Sequence, residues 1–521
     1  MALISLAQAW PTLPFAILCF VLLVQIRSRL KSRLPLPPGP SGLPFVGNVQ
    51  EFPLTPERIS ALHAQYGDLV RLTIFGDEFI LLGSHESAVA LLEKRSSNYS
   101  GRNMFELADM TNFDWLLTWM PYGTHFRKVR GCFHRCFNAT AIQAYRPIQQ
   151  EEVKRHLLRL LEHPRDFYEH GRKLIGTVII RIVYGLDVKD SLPGCPPNKY
   201  ISIAEESMSA FSVIFHPGQY YAQSFPWLRY VPAWFPGARF QRDFAAWRPI
   251  VRSMLNVPWK AAGKLTVRSE GKMPPWTFYA NTMERIENNE EDEYAAKCTA
   301  ASAYFGGADT TLSTLQIFTA AMASSPHVQK RAQEELDAVV GPGRLPTLED
   351  KPSLPYVSAV AKECLRWRQV VPINVPHICS EEDEFNGYRI PKEARVISNA
   401  AGYSMDPKNY QDPETFNPDR FLVDGKLSSE ILDPASFAFG YGRRICPGRH
   451  FAEGAVFLML SNILHTFTIE SGAGEAGKAA PSDVCKMTLG VVSFPAPFEC
   501  NFKPKSSDAE ALIRASASDL A

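Results

Sequence analysis

The chain has 521 residues, 45% hydrophobic and 21% charged, a balance that supports a large apolar core and excludes a disordered chain. Fifty-five Lys and Arg against 54 Asp and Glu leave a formal charge of +1, which excludes a nucleic-acid binder working through a strong overall basic field. Ten cysteines in a chain of this length are too few for a disulfide scaffold, and none shows paired zinc-ligand spacing; Cys132 and Cys136, one helical turn apart, read as ordinary thiols.

Met1 to Ile26 carries no charge, Phe15 to Ile26 is densely apolar, and Arg27, Arg29, Lys31 and Arg33 follow at once. Charge after the apolar stretch, and no small-residue cleavage pattern, favour a retained signal anchor with a cytosolic C-terminal side over a cleaved signal peptide. A buried N-terminal helix is the alternative. Residues 1–30 are therefore read as a transmembrane signal anchor, and 31–47, rich in Pro and Gly, as a stiff hinge. A single body is expected over 48–504, since no repeat or mid-chain linker divides it.

Within that body, Asp68 to Leu82 predicts a β-hairpin turning at Gly76-Asp77. Helical periodicity follows over Glu151 to Leu161, Gly171 to Tyr184, Glu291 to Ser324, His327 to Val340, Tyr356 to Trp367 and Phe451 to Phe467. A second hairpin is expected over Gly387 to Asn399, turning near Pro391, with the last strands between Cys485 and Phe502. The tail, 505–521, is small and polar and is expected to fray. Helices dominate this reading.

Three motifs carry chemistry. Phe439-Gly-Tyr-Gly-Arg-Arg-Ile-Cys-Pro-Gly448 places one Cys in a glycine-rich turn before an apolar helix. Glycines there let backbone approach a flat cofactor, and amides at a helix start stabilise a sulfur anion; a buried structural Cys beside a turn is the plainer alternative. Tyr304-Phe-Gly-Gly-Ala-Asp-Thr-Thr311 sets two glycines inside a long helix, at about 1 kcal/mol each, followed by a carboxylate and a hydroxyl able to deliver protons. Hydroxyls bonded back to the helix's own carbonyls are the alternative. Glu363 and Arg366 pair at i and i+3, which by itself describes a solvated surface pair.

Phe439, Gly442, Arg444, Cys446 and Gly448 fill every fixed position of the F-x-x-G-x-R-x-C-x-G signature, and the sequence resembles the cytochrome P450 haem-thiolate monooxygenases over nearly its whole length. The resemblance implies a mainly α fold with small β-sheets around a buried haem b, with Cys446 as the axial thiolate on iron and Phe439 and Gly448 in the loop that holds it. It also implies that Asp309 and Thr310, in a locally opened stretch of the helix crossing the haem, relay protons to dioxygen. Glu363, Arg366 and Arg420 of Phe416-Asn-Pro-Asp-Arg420-Phe would form a buried lock under the haem loop.

Two haem propionates need cations; the resemblance implies Arg444, His377 and Arg130. At the position where the family's W-x-x-x-R helix has Trp, this chain has Phe126, which removes an indole donor. Arg127, Lys128, Arg130, His134, Arg135, Arg443, Arg449 and His450 are either a solvated face or a basic dock for an NADPH-cytochrome P450 reductase. No dinucleotide fingerprint or flavin domain is visible, so electrons are expected from that partner.

Apolar stretches at Met104 to Met120, Phe211 to Phe235, Val371 to Val375 and Val491 to Phe494 point to a lipophilic small molecule, reached through the endoplasmic reticulum membrane with the catalytic body in the cytosol. Asp109 and Asp114 in the first stretch are either amine partners or ordinary surface carboxylates. The resemblance is strongest to fungal members that tailor secondary metabolites such as terpenoid or indole scaffolds. The expected reaction is NADPH-dependent hydroxylation or epoxidation. A peroxide-driven or isomerising relative, or a haem-binding sensor without turnover, are the alternatives.

Overall fold

The computed structural model describes residues 34–521 apart from 103–104, 189–197, 216–219, 221, 223–224, 269–272, 287–288, 473–485, 519 and 521. The anchor expected at 1–30 lies outside the described residues. No helix among the described residues is long and apolar enough to cross a membrane.

Eleven longer helices among the described residues build the body: α1 (Pro56–Tyr66), α2 (Thr124–Phe137), α3 (Arg146–Glu162), α4 (Phe167–Tyr184), α5 (Lys199–Ile214), α6 (Arg239–Arg268), α7 (Glu290–Ser324), α8 (Pro326–Val339), α9 (Pro355–Trp367), α10 (Arg449–Thr466) and α11 (Ser507–Ser518). Helix α7 is the axis, packed by α2, α4, α9 and α10. Its sequence says why: Ala295 to Phe305, apart from Lys297, and Thr311 to Ala323 are buried, and a helix apolar on nearly every side belongs inside a protein. Asn289 caps it by accepting from the amides of Glu291 and Asp292, and four acidic residues in the first turn suit the positive end of the helix dipole. Helix α10 is likewise buried from Val456 to Thr466.

Beside the helices lies a four-stranded sheet ordered β1 (Leu69–Ile74), β2 (Asp77–Leu82), β6 (Arg395–Ser398), β3 (His377–Ile378). Three two-stranded ribbons complete the strands: β4 (Asp383–Phe385) with β5 (Tyr388–Ile390), β7 (Leu422–Val423) with β8 (Lys426–Leu427), and β9 (Phe467–Ser471) with β10 (Cys500–Pro504). The first hairpin turns one residue earlier than expected. Ile74 pairs with Asp77, leaving Phe75 and Gly76, both at positive φ, as a two-residue turn of the kind that matches strand twist.

Two expectations fail. Gly387 to Asn399 is not a hairpin: β5 turns back at Asn386-Gly387, both at positive φ, to pair with β4, while β6 runs parallel to β2. The Asn-Gly pair is the stronger turn signal, and the apolar β6 is spent on the main sheet. The 505–521 tail does not fray over most of its length. It forms α11, which packs on α3 and α10 with Ile513 fully buried.

Candidate active site

Between α7 and the loop before α10 lies a cavity of about 550 Å³. Its floor is the Phe439 to Gly448 turn, where the amide of Cys446 donates to the carbonyl of Phe439 at 2.7 Å and those of Arg444 and Ile445 donate to Tyr441 and Gly442. Gly442 sits at φ 52, and a Cβ there would fall 2.4 Å from the carbonyl oxygen of Leu92, so the turn requires glycine. Gly448 caps the start of α10.

The Cys446 thiol is free and partly accessible from this cavity, which it borders. Burial pushes it up, while the Gly448 amide and the charges of Arg130 and Arg449 pull it down. Those are the groups that would hold a thiolate once a cation faced it.

The roof is α7. Ser302, Ala303, Phe305, Gly306, Gly307, Thr310, Thr311 and Thr314 border the cavity from that side. The helix continues unbroken through both glycines; the opening expected there is a gap in side chains rather than in backbone. A Cβ on Gly306 would meet nothing within 4 Å, whereas one on Gly307 would lie 2.8 Å from Cδ1 of Ile179 on α4. Gly306 bares the helix to the cavity and Gly307 lets α4 close against it.

The hydroxyl of Thr310 donates to the Gly306 carbonyl at 2.7 Å. Asp309, one residue earlier, does not border the cavity. It lies in the field of Arg172 on α4 and Glu205 on α5, which pair with each other at 3.2 Å. Burial raises its pKa from 3.8 to about 6, against the pull of Arg172.

On the cavity's edge three guanidiniums converge. Arg444 donates to the carbonyls of Ser100, Leu117 and Met120; burial and the nearby Arg130 lower its pKa to about 9. Arg102 donates to Pro376 at 2.9 Å and Thr118 at 3.2 Å, and burial and Arg444 lower its pKa strongly. Arg130 is also lowered, chiefly by burial. Among the described residues no carboxylate pairs with any of the three.

His377 borders the same edge and donates from Nδ1 to the Tyr99 carbonyl at 2.6 Å. Burial and the neighbouring Arg102 drive its pKa well down, leaving a neutral ring. Arg102 adds a guanidinium at this edge beside the neutral His377. The sequence offers little sign of it beyond an Arg just ahead of the apolar Met104 to Met120 stretch.

A free thiol facing a bare helix, with unpaired buried cations at one edge, fits a flat dianionic metal macrocycle. The family model described as cytochrome P450 matches residues 37–498. The chain belongs to the cytochrome P450 family. It is a P450 monooxygenase, similar to fungal enzymes along almost its whole length. The cytochrome P450 monooxygenase COX1 of Coprinopsis cinerea is 37% identical, covering 95% of this chain and 96% of the relative. Cytochrome P450 monooxygenase claR of Ampulloclitocybe clavipes is 35% identical over 95% of this chain and 91% of its own. The tryptamine 4-monooxygenase of Psilocybe cyanescens is 34% identical over 92% and 95%. Membership implies a cysteine-ligated haem, and P450 monooxygenases generally draw electrons from a redox partner and take lipophilic substrates.

The lock expected beneath a P450 haem loop is present. Glu363, fully buried, accepts from Arg366 at 2.7 and 2.8 Å, from Arg420 at 3.3 Å and from the Asn417 amide at 2.8 Å. The two arginines spend their other donors on carbonyls of residues 404–415.

The substrate stretches divide. Phe113, Trp115 and Trp119 are core, packed on Phe211, Phe215 and Phe305, whereas Leu116, Leu117, Val371, Val375, Val491 and Val492 border the cavity, as do Phe211 and Phe305 from its wall. Asp109 pairs with Arg229 at 2.8 Å and Asp114 with Arg252 at 3.6 Å. Neither borders the cavity, which removes them as amine partners there. The basic face is partly spent: Lys128 pairs with Glu291 and Asp292, while Arg127, His134, Arg135 and Arg443 stay exposed.

Proposed function

We propose that this P450 hydroxylates or epoxidises a lipophilic fungal secondary metabolite, a terpenoid or indole scaffold, with electrons from an NADPH-cytochrome P450 reductase. The observation that carries the reading is Cys446 facing Gly306 and Thr310 across one cavity whose edge holds Arg102, Arg130 and Arg444 without counter-charges. Cys446 would be the thiolate ligand, and Arg102, Arg130 and Arg444 would hold the propionates, with the neutral His377, spent on the Tyr99 carbonyl, bordering the same edge. Bound there, haem supplies dioxygen activation, with the thiolate pushing electron density toward oxygen-oxygen cleavage.

The protein's own part is water exclusion and proton delivery. Apolar side chains of α4, α5 and α7 shield the roof. Thr310 Oγ1 holds its proton on the Gly306 carbonyl until a better acceptor enters the cavity. Asp309, with a pKa of about 6, exchanges protons near neutrality on the flank facing Arg172 and Glu205, so the pair spans the helix from its polar flank to the reaction face.

Exposed Arg127, Arg135 and Arg443 on the thiolate side suit an acidic reductase surface. Trp227, Tyr230 and Trp234, exposed at 61%, 80% and 79%, suit the interfacial zone of a bilayer. That supports an endoplasmic reticulum enzyme anchored by residues 1–30. The relative named for tryptamine keeps indole among the candidate scaffolds.

The test is reconstitution. Reduced, carbon-monoxide-treated protein is expected to show the red-shifted Soret band of sulfur ligation, lost in Cys446→Ser, and product from a panel of terpenoids and indoles is expected only with NADPH and reductase. Product driven by peroxide alone would assign the peroxide-using alternative, and no band would remove the haem-thiolate reading.

A further inference from the structure

We infer that Ser302 is a specificity-determining hydrogen-bond donor, and that the substrate is an apolar scaffold already bearing one carbonyl or hydroxyl oxygen. The inference rests on the proposed function and narrows its substrate class.

Hydroxyls on α7 mostly turn inward. Thr299, Thr310, Thr314, Thr319 and Ser324 each donate to the carbonyl four residues back, the usual way a helix absorbs such a side chain. Ser313 donates to the Ser493 carbonyl. Ser302 does neither. Its oxygen accepts from the amide of Leu117 at 3.1 Å, and among the described residues its own proton has no acceptor. With one lone pair committed to that amide, the hydroxyl is fixed in place and its O–H is left to donate into the cavity it borders.

Of the other polar groups on the same walls several are spent, while the Thr311 hydroxyl, nine residues along α7, likewise has no acceptor among the described residues. Asn374 donates to Ser398 and Phe437, and Gln369 to Leu365 and Arg366. Around Ser302 the cavity is apolar, with Leu116, Leu117, Ala303, Phe305 and Phe211. A buried donor in apolar surroundings is costly unless something accepts from it, so a ligand oxygen there is favoured over a methylene.

Position adds a length. Ser302 and Gly306 are four residues apart on one helix face, and Thr310 is four further, so the donor stands about one turn from the bare backbone and a little over two turns, or roughly 12 Å, from the threonine. A ligand oxygen held by Ser302 therefore lies one to two helical turns from the stretch of wall that Gly306 and Thr310 present. An earlier oxygenation, or an oxygen retained from scaffold assembly, must precede this enzyme.

The experiment compares decalin with 2-decalone by equilibrium dialysis against the haem-loaded full chain. Wild type is expected to bind the ketone about three- to tenfold more tightly than the hydrocarbon, the worth of one neutral hydrogen bond. Ser302→Ala should bring the two ligands within twofold of each other, and Ser302→Thr, which keeps a hydroxyl, should restore the preference. A wild type without the preference, or a Ser302→Ala protein that keeps it, overturns the inference. A substitution that merely loosened the Leu117 loop would weaken both ligands alike and leave the ratio standing, which also overturns it. The carbon-monoxide band, recorded on the same samples, separates this failure from failure of the haem-thiolate reading.

Discussion

The Arg444 guanidinium lies over the ring of Phe126, 3.9 Å from its centroid. The family's indole donor is missing at this position, yet the ring serves as the platform on which the Arg444 guanidinium rests. A desolvated cation–π contact is worth about 2 kcal/mol. Phe126→Ala should therefore speed haem loss to a scavenging apoprotein by up to about thirtyfold, and Phe126→Trp, which restores both face and donor, should slow it below the wild-type rate.

Glu363 is fully buried between Arg366 and Arg420. Glu363→Gln keeps the shape and removes the charge, stranding two buried cations at a cost of about 3–5 kcal/mol. Denaturant unfolding should show that loss, and the carbon-monoxide spectrum should shift from the sulfur-ligated band toward a blue-shifted inactive form.

Asp309 sets stability against pH. Its folded pKa, about 6, is above the ordinary 3.8, so the folded chain holds the proton more tightly than the unfolded one. Its contribution is favourable at low pH and declines as pH rises from about 4 through 6. Asp309→Asn removes the penalty. The variant should gain on the order of 3 kcal/mol at pH 7 and little at pH 4, while losing turnover. An unchanged stability difference across that range would show that the carboxyl is not buried as described.

Thr310→Ala removes the hydroxyl that rests on the Gly306 carbonyl. NADPH consumption is expected to continue with haem retained, while product per NADPH falls by about tenfold and peroxide rises. Equal coupling in both proteins would place proton delivery elsewhere.

The two glycines of α7 should separate. Gly306→Ala meets open space and should stabilise the fold by about 1 kcal/mol through helix propensity, yet lower turnover by covering the bare backbone. Gly307→Ala forces Cδ1 of Ile179 to move from 2.8 Å and should forfeit that gain. Thermal unfolding of the two variants measures the difference.

What the sequence disclosed and what it hid follow from how local each signal is. The Cys446 turn and the long helices were legible because consecutive residues carry them: glycines at fixed spacing, and apolar runs that begin after Asn289 or Gly448. The Asn386-Gly387 turn is just as local a signal, and it decides where β5 turns back onto β4. Arg102 stayed hidden because its meaning comes from Arg444, 342 positions away in sequence but adjacent in its field. The flank on which Asp309 sits depends on α4 and α5 closing beside α7, and α11 became helix because α3 and α10 offered Ile513 a buried seat.

Arg102, Arg130 and Arg444 repel one another at the cavity edge, and burial depresses all three. Any dianion that settles among them relieves that strain only in the folded chain, so the protein's thermodynamic reserve rises with the free concentration of its prosthetic group. In a producing cell the supply of porphyrin and iron would then govern how much of this polypeptide survives proteolysis. Feeding a haem precursor should raise the accumulated amount of wild type more than that of an Arg102→Ala, Arg444→Ala double variant.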